Sequence, residues 1–153
     1  MQIDPRLPEI DDCLYRLAIR AFVFHNGKVL LVREKDAEWW SFPGGGIDYG
    51  EDIRQALPRE LAEELGVSAS DITTDYQITY LAIGAIVKGI PRANLFYRVE
   101  IPIEHIRAGN DVLDFGWFAP SEITPEITAR YTSSAPEAAR QFLSTIETQS
   151  TIA

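Results

Sequence analysis

Three glutamates, Glu60, Glu63 and Glu64, are the residues of this chain best placed to do chemistry. If the stretch RQALPRELAEELGV around them is helical, positions three and four apart share a face, so Glu60 meets both of the others. Three carboxylates on one face repel each other unless a cation neutralises them. Carboxylate oxygen is the donor that hard cations such as Mg²⁺ prefer. Taken alone, with Arg59 beside them, the three could equally be a solvated charged face. A glycine turn precedes them: Gly44, Gly45 and Gly46 allow positive φ and let backbone approach a ligand closely.

With Gly45, Glu51, Arg59-Glu60, Leu61, Glu63-Glu64, Gly66 and Val67 all in register, residues 45–67 resemble the Nudix box, the signature of the Nudix (MutT-like) hydrolases. That pattern is Gly, five residues, Glu, seven residues, Arg-Glu, an aliphatic residue, any residue, Glu-Glu, any residue, Gly and an aliphatic residue. Every defined position matches, and Phe42-Pro43-Gly44 is a usual lead-in. The resemblance implies an α/β/α sandwich around a mixed β-sheet. It also implies ligation of Mg²⁺ (or Mn²⁺) by Glu60, Glu63 and Glu64 with the backbone carbonyl of Gly45. At Glu51 it implies a residue that helps hold metal or orient the loop, and at Arg59 one that pairs with a box carboxylate. Glu51, Arg59, Glu60 and Glu63 thus enter the catalytic set, and a general base is still needed near the attacking water. The family draws it from a box glutamate or from a downstream acid; here Asp111 and Asp114 are the downstream candidates, and Asp114 is taken into the set.

The activity so implied is metal-dependent hydrolysis of a phosphoanhydride bond in a nucleoside diphosphate linked to another moiety. The substrate would be a small molecule, the compartment the cytoplasm and the assembly a homodimer. A non-catalytic nucleotide sensor on the same fold is the alternative, although a sensor need not keep all the carboxylates. Isopentenyl diphosphate isomerisation, seen in relatives of similar fold, relies on a cysteine, and Cys13 lies ahead of the first strand. The short motifs outside the box that mark ADP-ribose, dinucleoside polyphosphate or coenzyme A substrates are absent.

The remainder of the chain agrees with such a protein. Its 153 residues suit one domain with a real core, with residues 1–14 as a lead segment and 15–150 as the domain. A net charge of −9 disfavours long nucleic acid bound through its phosphates, while a phosphate-bearing small molecule stays possible because a bound cation inverts the local charge. One cysteine excludes an intrachain disulfide. No window reads as a signal peptide or a membrane span.

Stepwise along the sequence, residues 15–24 alternate with both faces largely apolar, which predicts a strand inside a sheet. Asn26-Gly27 signals a hairpin into a returning strand at 29–33. Residues 39–42 read as a short strand into the glycine turn. Pro58 is the one departure within the box: proline lacks an N–H and clashes with the carbonyl four residues back, so the helix either starts near it or kinks there. Gly66 ends the helix. Strands are predicted at 76–88, 94–103 and 115–119, with a polar loop at 104–114, a helical turn at 121–123 and an amphipathic helix at 136–146. Arg20 and Arg33 sit on strands near the site and could touch phosphates, though structural pairing is the blander reading. Trp39 and Trp40 are expected to pack in the core or its rim.

Overall fold

A computed structural model of the chain describes residues 5, 9, 14–87 and 89–128. Five strands form one sheet: β1 (Arg16–His25), β2 (Lys28–Glu34), β3 (Ile78–Val87), β4 (Ile90–Val99) and β5 (Val112–Phe118), in the order β3-β4-β1-β2-β5. β1 runs parallel to β4 and antiparallel to β2, and the β3–β4 and β2–β5 pairs are antiparallel, so the sheet is mixed, as expected. β1 is central because both its faces are apolar. Ile19, Ala21 and Val23 bury against one core, and Phe22 against another. Asn26 and Gly27 both take positive φ in the hairpin turn, at 49° and 73°.

One helix, α1 (Ile53–Leu65), covers the first face with Leu57, Leu61 and Leu65. It does not begin at Pro58. The cap is Asp52, whose carboxylate accepts from the N–H of Arg54 and Gln55, while the Gln55 side chain accepts from the Asp52 N–H. That reciprocal cap, six residues ahead of the proline, fixes the start at Ile53, and the helix runs through Pro58. Gly66 closes the other end in the left-handed region, φ 63°. On the opposite face of the sheet Phe22 stacks on Phe96 at 4.7 Å between centroids, with Phe42 edge-on to both.

Between β1 and β2 the sheet opens. The two pair only beside their turn, at Phe24–Val29 and His25–Lys28. Beyond that, segment 41–47 lies between them. Ile19 and Ala21 of β1 donate to the carbonyls of Gly45 and Pro43 at 2.9 and 2.8 Å, Ile47 donates to Leu17, and Ser41 exchanges two bonds with Val32 of β2. The glycine turn is therefore knitted into the middle of the sheet. This replaces the short strand expected at 39–42, which is reduced to isolated bridges at Trp40 and Ser41. Only glycine fits at position 44, because a Cβ there would meet the Ile19 carbonyl oxygen at 2.3 Å and φ is +122°.

Two strand boundaries differ from expectation in ways that matter. β5 begins at Val112, so Asp114 belongs to a strand paired with Arg33 and not to a loop. β4 spans Ile90–Val99 where a strand was expected at 94–103, so Arg92 lies within the strand. Cys13 and the helix expected at 136–146 fall outside the described residues, within which no helix is long and apolar enough to cross a membrane.

Candidate active site

The glycine turn, the acidic face of α1, strands β1, β2 and β4 and the loop before β5 enclose a cleft of about 400 Å³, lined by Arg20, Glu34, Gly44, Gly45, Gly46, Glu60, Glu64, Arg92 and Asp111. Glu64, in the last turn of α1, points inward and is only 5% exposed; its carboxylate accepts the Gly44 N–H at 2.7 Å. Burial pushes its pKa up to about 8 against the pull of that bond and of Arg20. Glu60 lies over Gly45 so closely that a Cβ there would stand 2.5 Å from its oxygen. Burial likewise raises the Glu60 pKa, against the pull of Arg59.

Arg59 gathers the other box acids. It grips Glu51 with two bonds, Nε to Oε1 at 2.8 Å and Nη2 to Oε2 at 2.9 Å. Its Nη1 donates to Glu60 at 2.8 Å and to Glu63 at 3.3 Å, and its Nη2 to the carbonyl of Gly46 at 3.1 Å. The guanidinium and the Asp48 N–H hold the Glu51 carboxyl down at about 2, and the Arg59 pKa is raised in return, chiefly by Glu51. Thus Arg59 makes the carboxylate pairings expected of it. Glu51 serves the turn, since it accepts from the Asp48 N–H.

The loop after β4 is pinned to the C-terminus of α1. Arg107 and Gly109 donate to the carbonyls of Leu65 and Glu64 at 2.9 and 2.8 Å, and Gly109 sits so close that a Cβ would meet the Glu63 carbonyl oxygen at 2.0 Å. This attachment satisfies carbonyls that the end of a helix leaves open. It also brings Asp111 to the cleft, its carbonyl accepting from Lys35 beside Glu34.

The expected residues are thus only partly brought together. Glu60, Glu64 and Gly45 line the cleft; Glu63 does not, being 43% exposed at its side chain beside Arg59. The Gly45 carbonyl accepts from Ile19, so one of its lone pairs is already used. Asp114 stands apart from the lining: it lies on β5 opposite Arg33, and its carboxylate accepts the Phe115 N–H. Of the two strand arginines, Arg20 lines the cleft and donates to the carbonyls of Phe42 and Gly44 and, at 3.4 Å, to Asn94, whereas Arg33 stacks over Trp40. Trp40 packs on Phe118 at 4.8 Å, and both are partly buried at the rim of the core.

Four carboxylates around one cleft are a hard-oxygen donor set, and their type fits a divalent cation. Among the described residues no three acidic, histidine or cysteine side chains already converge as ligands, because Arg59 and the Gly44 N–H hold the box carboxylates. Glu34, Arg92 and Arg16 had not been singled out from sequence. A signal exists for the arginines: Arg16, Arg20, Arg92 and Asn94 stand at alternate positions of the two central strands, where inward polar residues are costly.

Comparison with known proteins bears on the family and the fold. The chain is 39% identical over 80 residues to an RNA pyrophosphohydrolase of Caulobacter vibrioides, covering 48% of this chain and 46% of that protein. To the RNA pyrophosphohydrolase of Tolumonas auensis it is 48% identical over 48 residues, 31% of this chain and 28% of that one. It therefore spans less than half the length of these curated relatives. Among solved structures, a NUDIX hydrolase from Nitrosomonas europaea superposes with a TM-score of 0.69 at 18% identity, covering 86% of this chain and 90% of that one, which bears on the fold alone. The family model of the NUDIX domain matches residues 14–138. The chain belongs to the Nudix family.

Proposed function

We propose that this protein is a divalent-cation-dependent pyrophosphohydrolase that cuts a phosphoanhydride bond of a nucleoside diphosphate derivative. The observation that carries the reading is the bipolar cleft, in which Glu34, Glu60, Glu64 and Asp111 face Arg20 and Arg92. Phosphoanhydride hydrolysis needs both signs of charge, cations for the phosphoryl oxygens and carboxylates for a metal and for the attacking water. Glu60 and Glu64, with Glu63 after it leaves Arg59, would hold Mg²⁺ or Mn²⁺. Such an ion supplies Lewis acidity toward phosphoryl oxygen and lowers the pKa of bound water.

Within this chain the roles divide by position. The turn 44–46 sets backbone against the substrate, held in register by β1. Arg59 keeps Glu51 and Glu60 in place. Asp111, which lines the cleft, is the better-placed base to take a proton from water, in preference to Asp114, which does not. The curated relatives are named for RNA, which admits a 5′-phosphorylated end as a substrate alongside free nucleotides. Here the net charge of −9 favours the small molecule.

The test is phosphate release, with coupled phosphatase, across nucleoside triphosphates, nucleotide sugars, dinucleoside polyphosphates and a 5′-triphosphorylated oligonucleotide, with Mg²⁺ or Mn²⁺. Turnover of one class is expected, lowered at least on the order of 10²-fold in the Glu63→Gln/Glu64→Gln variant, together with loss of Mg²⁺-induced thermal stabilisation. Tight nucleotide binding with no turnover in any metal would replace the enzyme by the sensor.

A further inference from the structure

The basic wall of the cleft holds more cation than the fold uses. Arg16 and Arg92 are Cα partners across the parallel β1–β4 pair. Strand alternation sets them on the same face as Arg20 and Asn94, which are joined by a hydrogen bond. The Nη2 of Arg16 reaches 3.0 Å from where a side chain on Gly46 would begin, so it abuts the glycine turn. None of the ion pairs among the described residues engages Arg16, Arg20 or Arg92. The Nε atoms of Arg16 and Arg92 are buried without a hydrogen-bond partner. The Nε of Arg33 is also unpartnered, but its guanidinium lies over Trp40 and outside the cleft. Desolvation and the neighbouring Arg20 and Arg16 charges lower the Arg92 pKa to about 10 against the weaker pull of Glu34 and Glu60, so it stays charged near neutrality.

Buried donors left open and like charges left together are both unfavourable, and one anion relieves both. A guanidinium presents Nε–H and Nη–H as a fork that matches the oxygens of a phosphate. We propose that Arg16 and Arg92, backed by Arg20, clamp a terminal phosphate, so that the cleft prefers a substrate with a free phosphate or pyrophosphate end over one whose diphosphate is esterified on both sides. In naming this anion as part of a substrate, the inference rests on the hydrolase reading above; the clamp itself does not.

The experiment is calorimetric titration of the full chain with inorganic pyrophosphate in EDTA. One-to-one binding is expected, weakened about tenfold in Arg16→Gln and in Arg92→Gln, and unchanged in Arg98→Gln, which alters an exposed arginine paired with Glu100. Because a strand variant can fail to fold, the wild-type Arg16 and Arg92 Nε–H resonances are followed as well, and both shift on adding pyrophosphate. With Mg²⁺ present, the preference for a nucleoside triphosphate over a nucleotide sugar narrows about tenfold in Arg92→Gln. No binding by the wild type, or unchanged affinity in both folded variants, overturns the clamp, as do unmoved Nε–H resonances. Pyrophosphate bound as described, with no nucleotide hydrolysed in any metal, leaves the clamp standing and removes the hydrolase.

Discussion

Arg92 lines the cleft and Arg59 lies beside it, bonded to the lining residue Glu60, and the two live in different electrostatic conditions. Arg59 touches three carboxylates and a carbonyl, and its charge is wholly used within the fold. Arg92 lies in the field of two other guanidiniums, offset in part by Glu34 and Glu60, and its Nε donor is open. A closed network of this kind serves position, since it holds Glu51 and Glu60 where the turn needs them. The open one costs stability, and its use lies in what it can receive.

Removing each arginine should break or confirm that contrast. Arg59→Met leaves the half-buried Glu60 without its cation, and urea unfolding in EDTA should show a loss of about 2 kcal/mol, below the full cost of a buried pair because Arg59 is partly exposed. Arg92→Met removes an unpaired charge, so its stability should lie within about 0.5 kcal/mol of wild type or above it. Equal losses in the two variants would erase the distinction.

A pH series sharpens the acidic side. The Glu64 pKa is raised in the folded chain, so its protonated form is favoured there. Its contribution is fully present below about 4.5 and is lost as pH rises toward about 8. The metal-free chain should therefore lose stability across that window, by on the order of 1.4 kcal/mol for each unit of raised pKa, and Glu64→Gln should flatten the slope. Glu51 has the opposite sign: its pKa is depressed, so its contribution is present above 4.5 and disappears as pH falls through about 2. Added Mg²⁺ should raise the melting temperature more at pH 8 than at pH 5.5; an equal shift at both would contradict the Glu64 assignment.

The smallest expected effect is at Asp114. Asp114→Asn should leave turnover within about twofold of wild type, whereas Asp111→Asn should lower it by about 10². Steady-state kinetics on the preferred substrate decides between them, and the reverse result would restore Asp114 as the base.

Much of this site was legible in the sequence because its elements are local. The box spacing, the cap at Gly66 and the Asn26-Gly27 turn are encoded within a few residues of where they act. The partition among the acids was not legible, because helical spacing alone cannot say that Glu64 turns inward to Gly44 while Glu63 stays with Arg59. The basic wall was least legible. Arg16, Arg20 and Arg92 meet only through the parallel register of β1 and β4, across more than 70 residues of chain. Asp114 was misplaced for a simpler reason: β5 starts earlier than its aromatic run suggests, under the pairing of Val112 with Glu34.

The glycine turn between β1 and β2 bears on how this site forms and opens. The amides of Ile19 and Ala21 sit in the central strand, and their acceptors are the turn's own carbonyls. Hydrogen exchange at those two amides therefore reports on the turn as well as on the strand. Local fraying cannot release a segment held from both sides, so these amides should exchange only with global unfolding. The cleft floor should then assemble late, after distant strands have met, because its contacts span the chain and loop closure must come first.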